Sequence, residues 1–177
     1  MQEGFLQAYV DFYYITSETT PSEIEPHISL KDDIKLNKRK KGKFQQTEES
    51  LLELSQKLVS AESYYREENI DQCLKQYTGV AEQFEALNDY ETASYFYKKC
   101  LDVSSEAKSL RGEAKAYMGL GICEEKVLNI FHAMGNLVTA LGKAEDGNHV
   151  KLEKEICKEL VRVYQTIALQ KQEQNDF

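Results

Sequence analysis

Tyr117-Met118-Gly119-Leu120-Gly121-Ile122-Cys123-Glu124-Glu125-Lys126-Val127-Leu128-Asn129-Ile130-Phe131-His132-Ala133-Met134-Gly135-Asn136-Leu137-Val138-Thr139-Ala140 is the stretch that decides the fold. Ala133, Leu137 and Ala140 are four and seven residues apart, so they share one face of a helix. The same small–bulky–small order stands at Cys73, Tyr77 and Val80, and again at Ala93, Tyr97 and Cys100. Small residues let a neighbouring backbone approach, and the bulky residue fills the space beside the contact. One such stripe is an amphipathic helix; three in phase indicate an internal repeat.

The helices before the second and third stripes also match. Tyr77, Val80, Ala81 and Phe84 precede Ala93 as Tyr117, Leu120 and Gly121 precede Ala133, with twelve residues from Ala81 to Ala93 and from Gly121 to Ala133. Gly121 and Ala81 mark tight helix crossings. Asn69, Asn88 and Asn129 stand where helices should begin, and Asn is a favoured N-cap. Gln72 and Glu91 follow Asn69 and Asn88 by three residues, as in a capping box. The predicted helices are 50–67, 70–86, 89–105, 109–126, 129–144 and 149–174. Their short turns require antiparallel neighbours. No segment keeps a period of two, so no sheet is expected. The expected fold is all-α, a tandem helix–turn–helix α-solenoid over residues 50–177.

Residues 1–49 read differently. Phe5, Leu6, Tyr9, Val10 and Tyr13 recur at helical steps and predict a short docking helix. Pro21 and Pro26 follow, then a basic run of Lys35, Lys38, Arg39, Lys40, Lys41 and Lys43. That run reads as a solvated flexible linker, as a contact for an acidic surface such as tubulin, or as a nuclear import signal. No proline occurs after Pro26, which suits a long helical stack.

The chain has 177 residues, 41% hydrophobic and 29% charged, enough for a packed core. Its net charge of −8 disfavours nucleic acid as a partner. Cys73, Cys100, Cys123 and Cys157 are dispersed among apolar neighbours on predicted helices, which fits reduced core thiols rather than disulfides or a zinc site. The N-terminus lacks a basic leader and apolar block, and no apolar run approaches membrane-spanning length. An intracellular, soluble protein with no membrane span is expected.

The residues of the repeat resemble the tetratricopeptide family. Tyr117, Leu120, Gly121, Ala133, Leu137 and Ala140 stand as in one copy, and Tyr77, Val80, Ala81, Phe84, Ala93, Tyr97 and Cys100 as in a second. Glu124 stands where that family favours an aromatic, and Leu128 where it favours glycine. Spacings of 40 from Tyr77 to Tyr117 and 47 from Tyr117 to Tyr164 imply longer helices or links than in the plainest repeats. Tyr95-Phe96-Tyr97-Lys98-Lys99-Cys100, Met118-Gly119-Leu120 with Glu124-Glu125, and Leu160-Val161-Arg162-Val163-Tyr164 further resemble family members of motile cilia and sperm flagella. That likeness covers roughly residues 51–175. It implies an axonemal or ciliary-transport role beside dynein arms or microtubule-associated components.

His27, His132 and His149 are scattered and form no metal-ligand spacing. Gly119-Leu120-Gly121 lies in a helical pattern without the strand a phosphate loop needs. Glu67-Glu68 and Glu124-Glu125 are adjacent pairs whose side chains diverge on a helix, so they make no acid–base dyad. No enzyme, cofactor or metal is expected. The expected function is a protein–protein scaffold, with a cytosolic adaptor of chaperone, trafficking or cell-cycle complexes as the competing reading. Groove positions expected from the repeat are Thr78, Glu82, Met118, Ile122, Gln165 and Leu169, suited to an amphipathic helix or an extended apolar–basic segment. These positions equally suit packing against the chain's own extension or adjacent helices. The helix before Asn175 matches the first helix of a pair, so the last repeat is expected to be incomplete and the natural chain to continue.

Overall fold

A computed structural model describes residues 5–16 and 48–175. Seven helices make up the described chain, with no strand among the described residues: α1 Leu6–Thr16, α2 Glu48–Arg66, α3 Ile70–Ala86, α4 Tyr90–Glu106, α5 Leu110–Lys126, α6 Ile130–Asp146 and α7 Val150–Asn175. Consecutive helices from α2 to α7 pack against one another, and α3–α5 and α5–α7 also touch. The result is a helical stack of the solenoid kind. No described helix is long and apolar enough to cross a membrane. The basic candidates Lys35, Lys38, Arg39, Lys40, Lys41 and Lys43 lie outside the described residues.

The stack advances by a step of twenty residues. Helices begin at 70, 90, 110, 130 and 150, and the left-handed backbone falls at Glu68, Asn88, Lys108, Leu128 and Asn148. Each joint closes in the same way. The amide of the left-handed residue bonds back three residues, and the next amide bonds back five. At the α5–α6 joint these are Leu128 N to Glu125 O at 3.0 Å and Asn129 N to Glu124 O at 2.8 Å. This Schellman closure satisfies carbonyls that the helix end would orphan. A helix that terminates in a turn must reverse there, so the links are short and uniform.

The joints revise the capping assignments. Asn88 is the left-handed residue with φ 59°, and Asp89 is the N-cap, its carboxylate accepting from Thr92 N at 3.1 Å. Asn69 and Asn129 do occupy N-cap positions, but their side chains make no capping bond, so neither the Asn69–Gln72 box nor, with Asp89 as the cap of α4, the Asn88–Glu91 box forms. The Asn129 amide instead donates to Glu124 Oε2 at 2.7 Å, and its carbonyl oxygen pairs with His132 Nδ1 at 2.9 Å. Ser109, which the sequence did not single out, caps α5 through Gly112 N. Backbone closure makes the cap side chains secondary.

Two apolar clusters run through the stack, one spanning α1–α5 and the other α5–α7. Phe84 and Phe96 stack with centroids 6.0 Å apart, and Tyr77 lies 6.4 Å from Phe96. Both phenylalanines are fully buried, and each such side chain stabilises by roughly 1.5–3 kcal/mol. Ala81, Ala93, Cys100, Leu120, Gly121, Ala133, Leu137 and Ala140 are buried as the repeat stripe requires, and Tyr117 is half-buried.

Tyr164 departs from the expected packing set: it is 54% exposed. The twenty-residue step pairs Tyr77, Tyr97, Tyr117 and Leu137 with Cys157, not Tyr164, so the 47-residue spacing joined unequal positions. Cys157 itself is exposed, unlike Cys73, Cys100 and Cys123. α7 buries Leu152, Ile156, Leu160 and Val163, while Val161 and Leu169 on the rest of its surface are open.

Candidate functional site

α3 and α5 bound an open cleft of about 410 Å³, lined by Asp71, Gln72, Leu74, Lys75, Thr78, Gly79, Glu82, Arg111, Gly112 and Lys115. The local sequence explains the opening. Gly79 and Gly112 present no side chains to the lining, and nothing approaches within 4 Å of a Cβ built at Gly79. An added Cβ at Gly112 would meet Leu74 Cδ1 at 2.8 Å and would collide with Ser104 Oγ, so that helix contact needs glycine. The Ser104 hydroxyl, lying against Gly112, donates to Cys100 O at 2.6 Å.

Of the groove positions expected from sequence, Thr78 and Glu82 line this cleft. Met118 packs instead against the α5–α7 cluster and is half-buried, as is Ile122. Gln165 and Leu169 are exposed on α7 and do not line the cleft. The sequence reading omitted Lys75, Arg111 and Lys115, which make the cleft wall more basic than acidic against Asp71 and Glu82. The signal was available: Lys75 is one turn before Gly79, and Arg111 and Lys115 are one turn apart on the next first helix. Thr78 is partly engaged inward, 3.6 Å from Cys100 Sγ.

The interior behind the cleft is set by burial. Removal from water pushes the thiols of Cys100 and Cys123 up to about 12 and that of Cys73 to about 11, so they remain protonated and unreactive. Burial also raises Glu85, against which hydrogen bonds from Tyr97 and Cys123 pull downward. Arg162 of α7 holds Glu125 of α5 in a forked pair, with Nε at 2.9 and 3.2 Å from its two oxygens, and also reaches Glu159 at 2.7 Å. That pair fastens the outer helix to the cleft-bearing one.

A second feature involves α1, which lies across α2 and α4. The sequence expected Phe5, Leu6, Tyr9, Val10 and Tyr13 to form its contact face. The buried residues are instead Ala8, Asp11, Tyr14 and Ile15, while Leu6, Tyr9 and Tyr13 are exposed. Of the expected face, Phe5 does pack partly buried against the α1–α5 cluster, as does Phe12, and α2 and α4 add specific polar contacts. Glu62 accepts from Ala8 N at 2.8 Å, and Tyr95 donates to Asp11 Oδ1 at 2.8 Å. Groups of three or more residues able to hold a metal ion are absent among the described residues. A scan against protein-family models gives no match, and neither does a search of curated proteins.

Proposed function

We propose that this chain is a non-catalytic scaffold whose α3–α5 cleft holds a segment of another protein. The observation that carries this reading is the basic-walled cleft between two first helices of a twenty-residue helical step. Repeating helices expose their surfaces in a fixed series, which suits holding an extended segment. Lys75, Arg111 and Lys115 favour a segment bearing carboxylates, with Asp71 and Glu82 setting its register against basic positions. This replaces the apolar–basic segment expected from the sequence positions alone. The tetratricopeptide-like pattern and the likeness of its strings to ciliary family members support a place in the axoneme or in ciliary transport, beside dynein arms.

The test is a tagged full chain in ciliated cells, alongside K75E/R111E/K115E. Expected are axonemal enrichment of the unmodified chain and its loss in the charge-reversed chain, with unchanged circular dichroism for both. Absence of the unmodified chain from axonemes would sink the ciliary reading. Enrichment unaffected by charge reversal would remove the cleft as the holding surface.

A further inference from the structure

We propose that the α2–α4 surface is a helix-recognition site which α1 fills as a self-ligand. Its outside partner is a helix bearing a carboxylate in the register of Asp11 and an aromatic ring in that of Tyr14. The surface is specific in three places. Glu62, itself buried and held by Arg66 at 2.5 Å, accepts from an amide in the first turn of α1, where the positive end of a helix favours a carboxylate. One turn on, Tyr95 and Lys99 receive Asp11, with Lys99 Nζ 3.5 Å from Oδ1. One further turn on, Tyr14 lies against Tyr95 with ring centroids 4.1 Å apart. A first-turn amide at position 8, an acid three residues later and an aromatic three beyond that make a readable code.

Four features make α1 separable from the surface it occupies. It is a helix of 11 residues, too short to hold together alone in water. The 31 residues 17–47 lie between it and α2, so its departure breaks no short connection. Docking buries the Asp11 carboxylate fully, and its Oδ2 finds no hydrogen-bond partner among the described residues, a desolvation cost that opposes docking. Leu6, Tyr9 and Tyr13 are left open while it is docked. A competing helix that brings its own donor to the second carboxylate oxygen would therefore displace it.

The probe is a labelled peptide of residues 5–16, titrated by fluorescence anisotropy into the full chain, Asp11→Lys and Lys99→Asp. Expected is binding to Asp11→Lys at least tenfold tighter than to the unmodified chain, because its own α1 no longer competes. Lys99→Asp should reject this peptide and accept the version carrying Lys at position 11. Equal affinity for all three chains would overturn the proposal. Hydrogen exchange on the unmodified chain supplies a reading independent of variant folding. Amides of α1 should exchange orders of magnitude faster than those of α3–α6, whereas exchange in concert would make α1 an integral helix and end the proposal. An Asp11-dependent dimer in light scattering would overturn the outside partner in favour of a second copy's α1.

Discussion

Gly121 and Gly135 lie in neighbouring helices and should respond to the same substitution with opposite signs. A Cβ on Gly121 would fall 2.7 Å from Leu137 Cγ, 3.0 Å from its Cδ2 and 3.2 Å from the Ala133 carbonyl oxygen. Carbon atoms rest at about 3.5–4.0 Å, so α5 and α6 must separate by several tenths of an ångström or Leu137 must leave its rotamer. Leu137 is fully buried and has nowhere to turn. Overpacking of this kind costs about 1–3 kcal/mol, against a helix-propensity gain for Gly to Ala of about 0.5–1 kcal/mol. Gly121→Ala should therefore lose about 0.5–2 kcal/mol, and Gly121→Leu about 3 kcal/mol or more. Nothing lies within 4 Å of a Cβ at Gly135, which is exposed in the interior of α6. Gly135→Ala keeps the whole propensity gain and should stabilise by about 0.5–1 kcal/mol. Urea unfolding followed by circular dichroism at a common slope measures both. If Gly121→Ala stabilised as much as Gly135→Ala, the inferred close crossing would not exist.

Leu128 is 72% exposed and holds φ at 62°, a conformation that costs a side chain about 1–2 kcal/mol. Leu128→Gly should raise stability by about 0.5–1 kcal/mol after the added freedom of the unfolded chain is subtracted; no gain in the urea midpoint would contradict this. For Glu85, burial raises the folded pKa above the ordinary 4.5. Its charged form is thus disfavoured in the fold, and stability is lost as pH rises from 4.5 through the raised value. The stability of Glu85→Gln relative to the unmodified chain should grow over that window, and a difference constant with pH would refute it. Thiol labelling of the native protein should show one fast cysteine, Cys157, with Cys73, Cys100 and Cys123 reacting only on unfolding. A second fast thiol would mean that the α1–α5 core opens.

Helix number, order and approximate ends were legible because they rest on local information. Small–bulky–small stripes and the absence of proline identify α2 to α7 within two residues of their observed bounds. The repeat itself was visible, but its length was not. Tyr117 and Tyr164 are the same residue type at unequal positions, and only the recurring left-handed joints at 68, 88, 108, 128 and 148 reveal the true step. A joint set by backbone hydrogen bonds tolerates Glu, Asn, Lys and Leu alike, so residue identity carries little of that signal. Of the expected groove positions, Thr78 and Glu82 line the α3–α5 cleft, and Lys75, Arg111 and Lys115 beside them were not among those expected. Lys75 precedes Thr78 by three residues and Lys115 precedes Met118 by three, so they share the faces of the expected positions one turn earlier; how far along those faces the cleft runs is decided by the packing of α3 against α5.

The sequence by itself determined that this chain is helical, where its helices turn, and which small residues allow close crossings. Periodicity, turn residues and side-chain volume are properties of neighbours along the chain. The tertiary structure alone decided which face α1 buries. Its amphipathic pattern favours Phe5, Leu6, Tyr9, Val10 and Tyr13, yet Asp11 goes inside. The reason is that Tyr95 and Lys99, 84 and 88 residues away along the chain, bring donors to Asp11 beside its own-helix neighbour Gln7. A buried carboxylate is tolerable only where donors meet it, and no local pattern records where distant donors converge.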